Sequence, residues 1–211
     1  MDKIEDGHKI PNKELILITA YGLFLKKGYQ SVSINDIMEV SKLSKGGIYY
    51  HFESKEKILF AVLDQYFFTG LTIDPSDFDN LTFKQSIYKI CELGVGFFVM
   101  LESIGKNGIK YPIQRLYQFQ LECENFPEVR RQFRQTSIAY KNFVQHIVSQ
   151  GIQNNEVKKE LDPEILSYQI VGMIEGIAIH HSTVKTEVGA MLTEKYTAVF
   201  NSYFNFICSD I

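Results

Sequence analysis

A short stretch near the N-terminus carries small, polar and aromatic side chains that suit contact with phosphates and base edges. Residues 33–52 read S-I-N-D-I-M-E-V-S-K-L-S-K-G-G-I-Y-Y-H-F. Hydroxyl, ammonium, phenol and imidazole groups donate hydrogen bonds to phosphate oxygens, and glycines allow a close approach of the backbone. A short helix that is too polar and glycine-rich for a core element is typical of one that enters a DNA groove.

Two short helices joined by a tight turn must position these groups. Ser33 starts an S-x-x-D variant of the capping box, which places its hydroxyl and the carboxylate of Asp36 near unpaired N–H groups. The segment 41–44 is predicted to be the turn. Ser44 is predicted to cap the second helix, over 45–50, and Ile34, Ile37 and Met38 give the first helix its apolar face.

The candidate DNA contacts come from this segment and the residues just after it. They are Ser33, Ser44, Lys45, Gly46, Gly47, Tyr49, Tyr50, His51 and Lys55. Ser44 and the start of its helix can meet a phosphate, because unpaired N–H groups and the helix dipole favour an anion there. Lys45 can reach a base edge or a phosphate. Packing between helices is an equally good interpretation of Tyr50, whereas Ile48 and Phe52 are predicted to be core residues.

The composition is that of an ordinary globular protein. The chain has 211 residues, of which 45% are hydrophobic and 22% charged, and this length allows a real core. A net charge of -3 argues against a generally basic coat, although residues 7–60 carry eight lysines against five acids. Cys91, Cys123 and Cys208 lie far apart without a C-x-x-C pair, so we expect reduced thiols.

No catalytic, metal or membrane signature stands out. H-E-x-x-H, G-x-x-x-x-G-K-[ST] and G-x-S-x-G are absent, so neither an enzyme nor a cofactor is predicted. His180 and His181 are adjacent and do not share a helical face, which disfavours a metal site. The N-terminus has no apolar segment of the signal-peptide kind, and no apolar run reaches the ~18 residues of a membrane span. A cytoplasmic protein is therefore expected.

Helical periodicity dominates the whole chain and predicts an all-α fold. Ile16, Ala20, Leu23 and Phe24 share one face of a first helix over 12–27, which Gly28 ends. Further helices are predicted over 54–68, 82–103, 113–124, 127–150, 163–182 and 190–207, with loops over 72–80, 104–112 and 151–161.

The run 16–59 resembles the N-terminal domain of the TetR family of bacterial transcriptional regulators. The residues that carry the resemblance are Ile16, Ala20, Leu23, Phe24, Lys27, Gly28, Tyr29, Ser33, Asp36, Ile37, Ser44, Lys45, Gly46, Tyr49, His51, Phe52, Lys55 and Leu59. The run 151–166 also resembles the link into the penultimate helix of many members. One position departs from the family, because Lys42 stands where many members have glycine, and a positive φ there costs ~1 kcal/mol.

The resemblance implies an N-terminal three-helix helix-turn-helix domain over 1–53 and a helical ligand-binding and dimerisation domain over 54–211, about nine helices in all. It also implies a homodimer that binds a palindromic double-stranded DNA operator, usually as a repressor, and a small apolar or amphipathic effector. The alternative is a helical protein-interaction module that has lost sequence-specific DNA binding. The intact set Lys45, Tyr49, His51 and Lys55 favours the regulator.

The ligand-site candidates are large or charged side chains on helices that resemble the pocket-forming part of the family. They are Phe67, Phe97, Arg115, Tyr117, Phe119, Tyr140, Phe143, Met173 and Glu175. At helical spacing, any one of the aromatic candidates fits an ordinary core better than a pocket wall. Arg115 and Glu175 could bind a ligand's polar end, pair with each other or face solvent. Gly172 and Gly176 form a small-residue strip that suits a dimer seam or close packing within the subunit.

Overall fold

The computed structural model describes residues 10–69, 73–104 and 108–209 of the chain. The described residues form nine α-helices and no named strand, which confirms the all-α prediction. The helices are α1 (Asn12–Lys27), α2 (Ile34–Ser41), α3 (Lys45–His51), α4 (Lys55–Val62), α5 (Phe83–Ser103), α6 (Pro112–Cys123), α7 (Pro127–Gln153), α8 (Pro163–His180) and α9 (Val188–Ile207). None of the described helices is both long enough and apolar enough to span a membrane.

The helix starts follow local chemistry that the sequence displays. Thr82 and Gln85 form a capping box at the start of α5. Asp162 accepts the N–H group of Glu164 at 2.7 Å and so caps α8. Proline occupies the first turn of α6, α7 and α8, where its missing N–H group costs no hydrogen bond.

The end of α7 differs from the prediction. The helix continues to Gln153, although Gly151 was expected to begin the following link. A Cβ atom at Gly151 would lie 2.9 Å from Val157 and 3.1 Å from Phe83. The glycine therefore permits a close approach between segments that are distant in sequence, and it does not end the helix.

The segment predicted to be one helix over 54–68 changes from an α-helix to a π-helix about halfway along. After α4 the chain continues as a π-helical turn, Leu63–Phe68. Phe67 and Phe68 lie in this turn and both contact Phe133 of α7, with ring centroids 4.9 Å and 5.1 Å apart. The loop that was predicted over 72–80 contains a short 3-10 helix, Pro75–Phe78, and its first residue lies outside the described part.

Two groups of helices share one hydrophobic core. Helices α1 to α4 form the head (residues 10–62), in which α1 packs against α2, α3 and α4. The body (residues 63–209) pairs α5 with α9 and α7 with α8. Helix α6 of the body also packs against α1, where Phe119 lies between the rings of Tyr21 and Phe24. The two parts are therefore joined by packed aromatic side chains as well as by the chain itself.

Candidate nucleic-acid interface

Helix α2 begins with the predicted capping box. Ser33 Oγ accepts the N–H group of Asp36 at 3.2 Å, and the carboxylate of Asp36 accepts the N–H group of Ser33 at 2.9 Å. Lys27 at the end of α1 adds an ion pair to Asp36, with 2.7 Å between Nζ and Oδ1. The hydrogen bonds from Lys27 and Ser33 hold the pKa of Asp36 well below its usual range. The Ser33 hydroxyl is thus part of the cap, and DNA contact by it remains a prediction.

The turn between α2 and α3 places Lys42 in the left-handed conformation. Lys42 has φ 61° and ψ 19°, and its N–H group donates to the carbonyl oxygen of Met38 at 2.9 Å. Ser41 supports the turn, because its hydroxyl donates to the carbonyl of Ile37 at 2.6 Å and accepts the N–H group of Leu43. These hydrogen bonds stabilise the turn although a lysine occupies it.

Helix α3 has one buried side and one open side. Ile48 is fully buried against the head core, whereas Lys45 and Tyr49 are exposed. Ser44 caps the helix by accepting the N–H group of Gly47 at 3.1 Å. A Cβ atom at Gly46 would meet no atom within 4 Å. Nothing in the described part of the chain therefore requires glycine at Gly46, and its backbone is open to an outside partner.

The aromatic groups at the end of α3 also face outward. Tyr50 has 84% of its surface exposed, so it does not pack between helices. Its ring stands edge-on to that of His51, with centroids 5.0 Å apart. The Lys45 ammonium lies 5.9 Å from the centre of the Tyr49 ring. Phe52 is buried, as predicted. The open side of α3 therefore combines a cation, two phenols and an imidazole.

Lys55 is placed differently from the other candidates. Its ammonium donates to the carbonyl oxygens of Val32 at 2.8 Å and Tyr29 at 2.9 Å, and it lies 4.2 Å from the centre of the Tyr29 ring. Desolvation lowers the pKa of Lys55 from its ordinary value. The donors of Lys55 thus hold the loop in front of α2, and phosphate contact by this lysine remains a prediction.

Three of the six aromatic ligand-site candidates, Phe67, Phe97 and Phe119, are buried. Phe67 is buried and contacts Phe97 edge to face at 6.1 Å between centroids. Phe119 is 1% exposed and fills the joint between α6 and α1, so nothing in the structure supports the prediction that it lines a ligand cavity. Phe143 differs from these, because it contacts Phe78 at 4.9 Å and borders open space.

Two clefts flank Phe143. One of about 530 Å³ lies between the π-helical turn and α7, and its walls include Asp64, Thr136, Tyr140 and Phe143. A second, of about 260 Å³, lies between the 3-10 helix and α7. Both are open to solvent and flanked by polar groups. Of the nine candidates, Tyr140 and Phe143 are the ones that line these clefts.

A polar cluster lies between helices of the body. Burial raises the pKa of Tyr140, and the nearby Cys91 and Glu175 raise it further. Burial and Glu175 together raise the pKa of Tyr117 to about 12. Desolvation also raises the pKa of Glu175, although this residue keeps an exposed surface. Among the described residues the hydroxyls of Tyr117 and Tyr140 make no hydrogen bond, and Tyr140 also lines the cleft of about 530 Å³.

The remaining candidates do not join this cluster through direct contacts. Arg115 donates to Gln118 at 3.4 Å, and no ion pair connects it to Glu175 among the described residues. Met173 is half-buried against the core. The described residues contain no group of His, Cys, Asp and Glu side chains that could hold a metal ion.

One further candidate functional residue carries no local sequence signal. Glu122, in the last turn of α6, accepts the N–H group of Tyr29 at 2.7 Å. The two residues are 93 positions apart, and no local pattern marks either of them as a partner of the other. Such a contact becomes visible only when α6 is packed against α1.

The comparisons with known proteins agree with this geometry. Residues 16–62 match the family described as bacterial regulatory proteins, tetR family. The Transposon Tn10 TetC protein of Escherichia coli is 30% identical over 165 residues, which are 77% of this chain and 76% of that protein. The uncharacterized HTH-type transcriptional regulator YuxN of Bacillus subtilis (strain 168) is 44% identical over 55 residues. That shorter match covers 26% of this chain and only 19% of YuxN.

A solved structure shares the fold over nearly the full length. A transcriptional regulator from Saccharomonospora viridis, solved in complex with choline, superposes with a TM-score of 0.71. The superposition covers 94% of this chain and 98% of the other. The sequences are 18% identical, so this similarity concerns the fold alone.

Proposed function

Since the chain belongs to the TetR family of bacterial transcriptional regulators, we propose that it is a ligand-responsive repressor that binds a palindromic DNA operator as a homodimer. The observation that carries this proposal is the open side of α3, where a Cβ atom at Gly46 would meet no atom of another described segment within 4 Å and Lys45, Tyr49 and Tyr50 are exposed. A capped helix with these groups suits the major groove, with its flanking side chains on phosphates.

The individual DNA contacts form part of the proposal. Lys45 is the proposed contact to a base edge or a phosphate, because it is exposed at the first position of α3. Tyr49, Tyr50 and His51 are proposed to donate to the sugar-phosphate backbone, and Gly46 and Gly47 to allow close approach. Ser33 and Ser44 are proposed to contact phosphate while their hydroxyls cap α2 and α3. Lys55 is proposed to support DNA binding indirectly, because it holds the loop in front of α2.

We also propose a division of the chain into two domains. We assign residues 1–53 to DNA binding and residues 54–211 to ligand binding and dimerisation. Helix α4 packs against α1, and Ile58 and Leu59 are fully buried, so the hydrophobic core of the head continues beyond this boundary. A cytoplasmic location is proposed because the operator DNA of a bacterial regulator lies there.

The outward faces of α8 and α9 support the homodimer. Ile165, Tyr168 and Ile179 are each at least half exposed and recur at helical spacing along α8. A Cβ atom at Gly172 or Gly176 would meet nothing within 4 Å, so the small-residue strip serves no close contact among the described residues. On α9, Val199 and Phe206 are exposed as well, with Phe206 at 70%. Exposed apolar side chains on two helices that pack against each other are typical of an association site.

The proposed effector is a small amphipathic molecule. Tyr117, Tyr140 and Glu175 offer unpartnered hydroxyls and a desolvated carboxyl group within an aromatic body. The choline bound by the structurally similar Saccharomonospora viridis regulator is of this general kind. An effector lowers operator affinity only by as much as it prefers the DNA-incompetent state, which is typically ~1–3 kcal/mol.

Selection of bound sequences from random duplex DNA tests the proposal. The expected product is a palindrome whose half-sites lie about one helical turn apart, ~34–36 Å, or a pair of such sites. Gel shifts on the selected duplex should weaken steeply as salt concentration rises. Recovery of no enriched sequence, together with a salt-independent interaction, would instead favour a helical protein-interaction module.

A further inference from the structure

Helix α6 reaches from the body onto the backbone of the head. The carboxylate of Glu122, one residue before the end of α6, accepts the N–H group of Tyr29 at 2.7 Å. Tyr29 belongs to the head loop (residues 28–32), which connects α1 to the DNA-facing pair α2 and α3. A hydrogen bond to a charged acceptor is among the stronger kinds in proteins. The body thus holds the segment from which α2 begins.

Gly28 provides the space for this contact. It has φ 80° and ψ 151°, a conformation that is open essentially to glycine alone. A Cβ atom at this position would lie 2.6 Å and 3.0 Å from the two carboxylate oxygens of Glu122. The carboxylate therefore occupies the place that any side chain at residue 28 would need. The glycine and the glutamate form a complementary pair across the joint between head and body.

Other contacts fix the head loop from both sides. From the head, Lys55 of α4 donates to the carbonyl oxygens of Tyr29 and Val32. From the body, the ring of Phe126 packs edge-on against Tyr29, with 5.4 Å between centroids. The loop is therefore clamped between α4 and the corner that joins α6 to α7, and Glu122 is the group of the body that hydrogen-bonds its backbone.

The opposite end of α6 is anchored in the body. The N–H group of Tyr111, which precedes the helix, donates to the carbonyl oxygen of Lys185 between α8 and α9 at 2.9 Å. In the middle of the helix, Tyr117 interacts electrostatically with Glu175 of α8. One helix therefore contacts the α8–α9 connection, the polar cluster and the head loop in succession.

We infer that Glu122 is a positioning residue for DNA binding: its carboxylate fixes the angle at which the body presents α3. This inference rests on the proposed function. In a dimer, both copies of α3 must enter the groove at one spacing. Loss of the Glu122 contact leaves each head freer to move, so more conformational freedom is lost when DNA is bound.

The experiment uses the full-length protein and the duplex obtained by selection. Three variants report on the contact: Glu122→Ala removes the acceptor, Glu122→Asp retracts it, and Glu122→Gln retains an oxygen acceptor of the same reach. Glu128→Ala removes an exposed carboxylate six residues further along and is the matched control. Each protein is measured for amide exchange at Tyr29, for circular dichroism and for operator affinity.

We expect the Tyr29 amide to exchange about tenfold faster in Glu122→Ala and Glu122→Asp, because its hydrogen bond is lost. Operator affinity should fall about tenfold in the same two variants, while helical content is kept. Glu122→Gln should stay within about threefold of the native protein in both measurements, since an uncharged acceptor still makes the bond. Glu128→Ala should behave as the native protein does.

Two results overturn the inference in distinguishable ways. Native operator affinity in Glu122→Asp, despite fast exchange at Tyr29, shows that the contact does not position the head. Slow exchange in both Glu122→Ala and Glu122→Asp shows that the contact does not hold the loop. Failure of the native protein and the Glu128→Ala control to bind any duplex overturns the proposed function, and the inference with it. Glu122→Asp keeps the test decisive if Glu122→Ala does not fold.

Discussion

The ammonium group of Lys55 lies 2.8 Å from the carbonyl oxygen of Val32, which ties the start of α4 to the loop in front of α2. A second carbonyl, that of Tyr29, accepts from the same ammonium at 2.9 Å. A lysine whose donors are used in this way has little capacity left for a phosphate. Its principal role is to hold the head together, so its loss should affect stability before it affects DNA contacts.

The variant Lys55→Ala should therefore lower the free energy of unfolding by about 1.5–3 kcal/mol, the usual range for hydrogen bonds to a charged group. Chemical denaturation followed by circular dichroism measures this change. The salt dependence of DNA binding should keep its native slope, because no phosphate contact is removed. Native stability combined with a slope reduced by about one would restore Lys55 to the set of phosphate ligands.

The variant Lys45→Ala should behave in the opposite way. Lys45 is exposed and, among the described residues, its ammonium has only the Tyr49 ring nearby, 5.9 Å from its centre. Its loss should therefore leave stability within about 0.5 kcal/mol of native. Operator affinity should fall, and the slope against salt should decrease by about one if the contact is to phosphate. Lys159→Ala, which removes an exposed lysine of the body, is the control. Equal affinity of both variants at several salt concentrations would exclude Lys45 from the interface.

The head could be predicted from the sequence because its determinants are local. The capping box of Ser33 and Asp36 and the cap at Ser44 lie within three residues of the groups that they satisfy. Gly151 shows where local sequence patterns are insufficient. A side chain there would meet Val157 and Phe83, and the contact with Phe83 depends on how distant helices pack, which hydrophobic periodicity does not show. The contact between Glu122 and Tyr29 could not be predicted for the same reason, because the two residues are 93 positions apart.

The ligand-site candidates show a related limit. Phe119 and Tyr140 are both aromatic residues at helical spacing, and periodicity gives them the same prediction. In the structure, one fills the joint with α1, whereas the other lines a cleft of about 530 Å³. What separates them is the packing of helices that are far apart in the sequence, and single-helix patterns do not contain this information.

The ion pair between Lys27 and Asp36 at the start of α2 should make the stability of the fold depend on pH. The pKa of Asp36 is lowered in the folded protein by the Lys27 and Ser33 hydrogen bonds, so its ionised form stabilises the fold. The stabilisation is fully present above the ordinary carboxyl pKa of about 4 and is lost as pH falls through the lowered value. Melting temperatures of the native protein and Asp36→Asn should therefore differ at pH 6 and converge towards acid.

Glu39→Gln provides the control for that measurement, because it removes an exposed carboxylate from the same helix. Its difference from the native protein should vary less between neutral and acid pH than that of Asp36→Asn. A constant difference between native protein and Asp36→Asn over this range would mean that the ion pair with Lys27 does not stabilise the folded state.

The dimer seam is tested by Gly176→Leu. The position is helical and open, so leucine should be accommodated in the single chain and should raise helix propensity by about 0.8–1.0 kcal/mol. In a closely packed seam the same side chain should disrupt assembly, since an obligate interface of more than ~2,000 Å² depends on close packing. Sedimentation at micromolar concentration should show a folded monomer, whereas Gly96→Leu, at an open helical glycine of α5, should remain dimeric. A native protein that sediments as a monomer would contradict the proposed dimer interface.

The last prediction concerns the effector. Tyr140 has a hydroxyl without a hydrogen-bond partner in the described part of the chain, and burial and the nearby Cys91 and Glu175 raise its pKa. Tyr140→Phe removes only this hydroxyl, so the ligand-free protein should keep its melting temperature or gain slightly. Compounds that raise the melting temperature and release DNA from the native protein should lose about tenfold or more in affinity for the variant, because a polar group of the ligand then lacks its partner. Phe143→Leu, which alters the apolar wall nearby, should weaken the same compounds less. If effective compounds bind Tyr140→Phe and Glu175→Gln as tightly as they bind the native protein, the polar cluster is not the effector site.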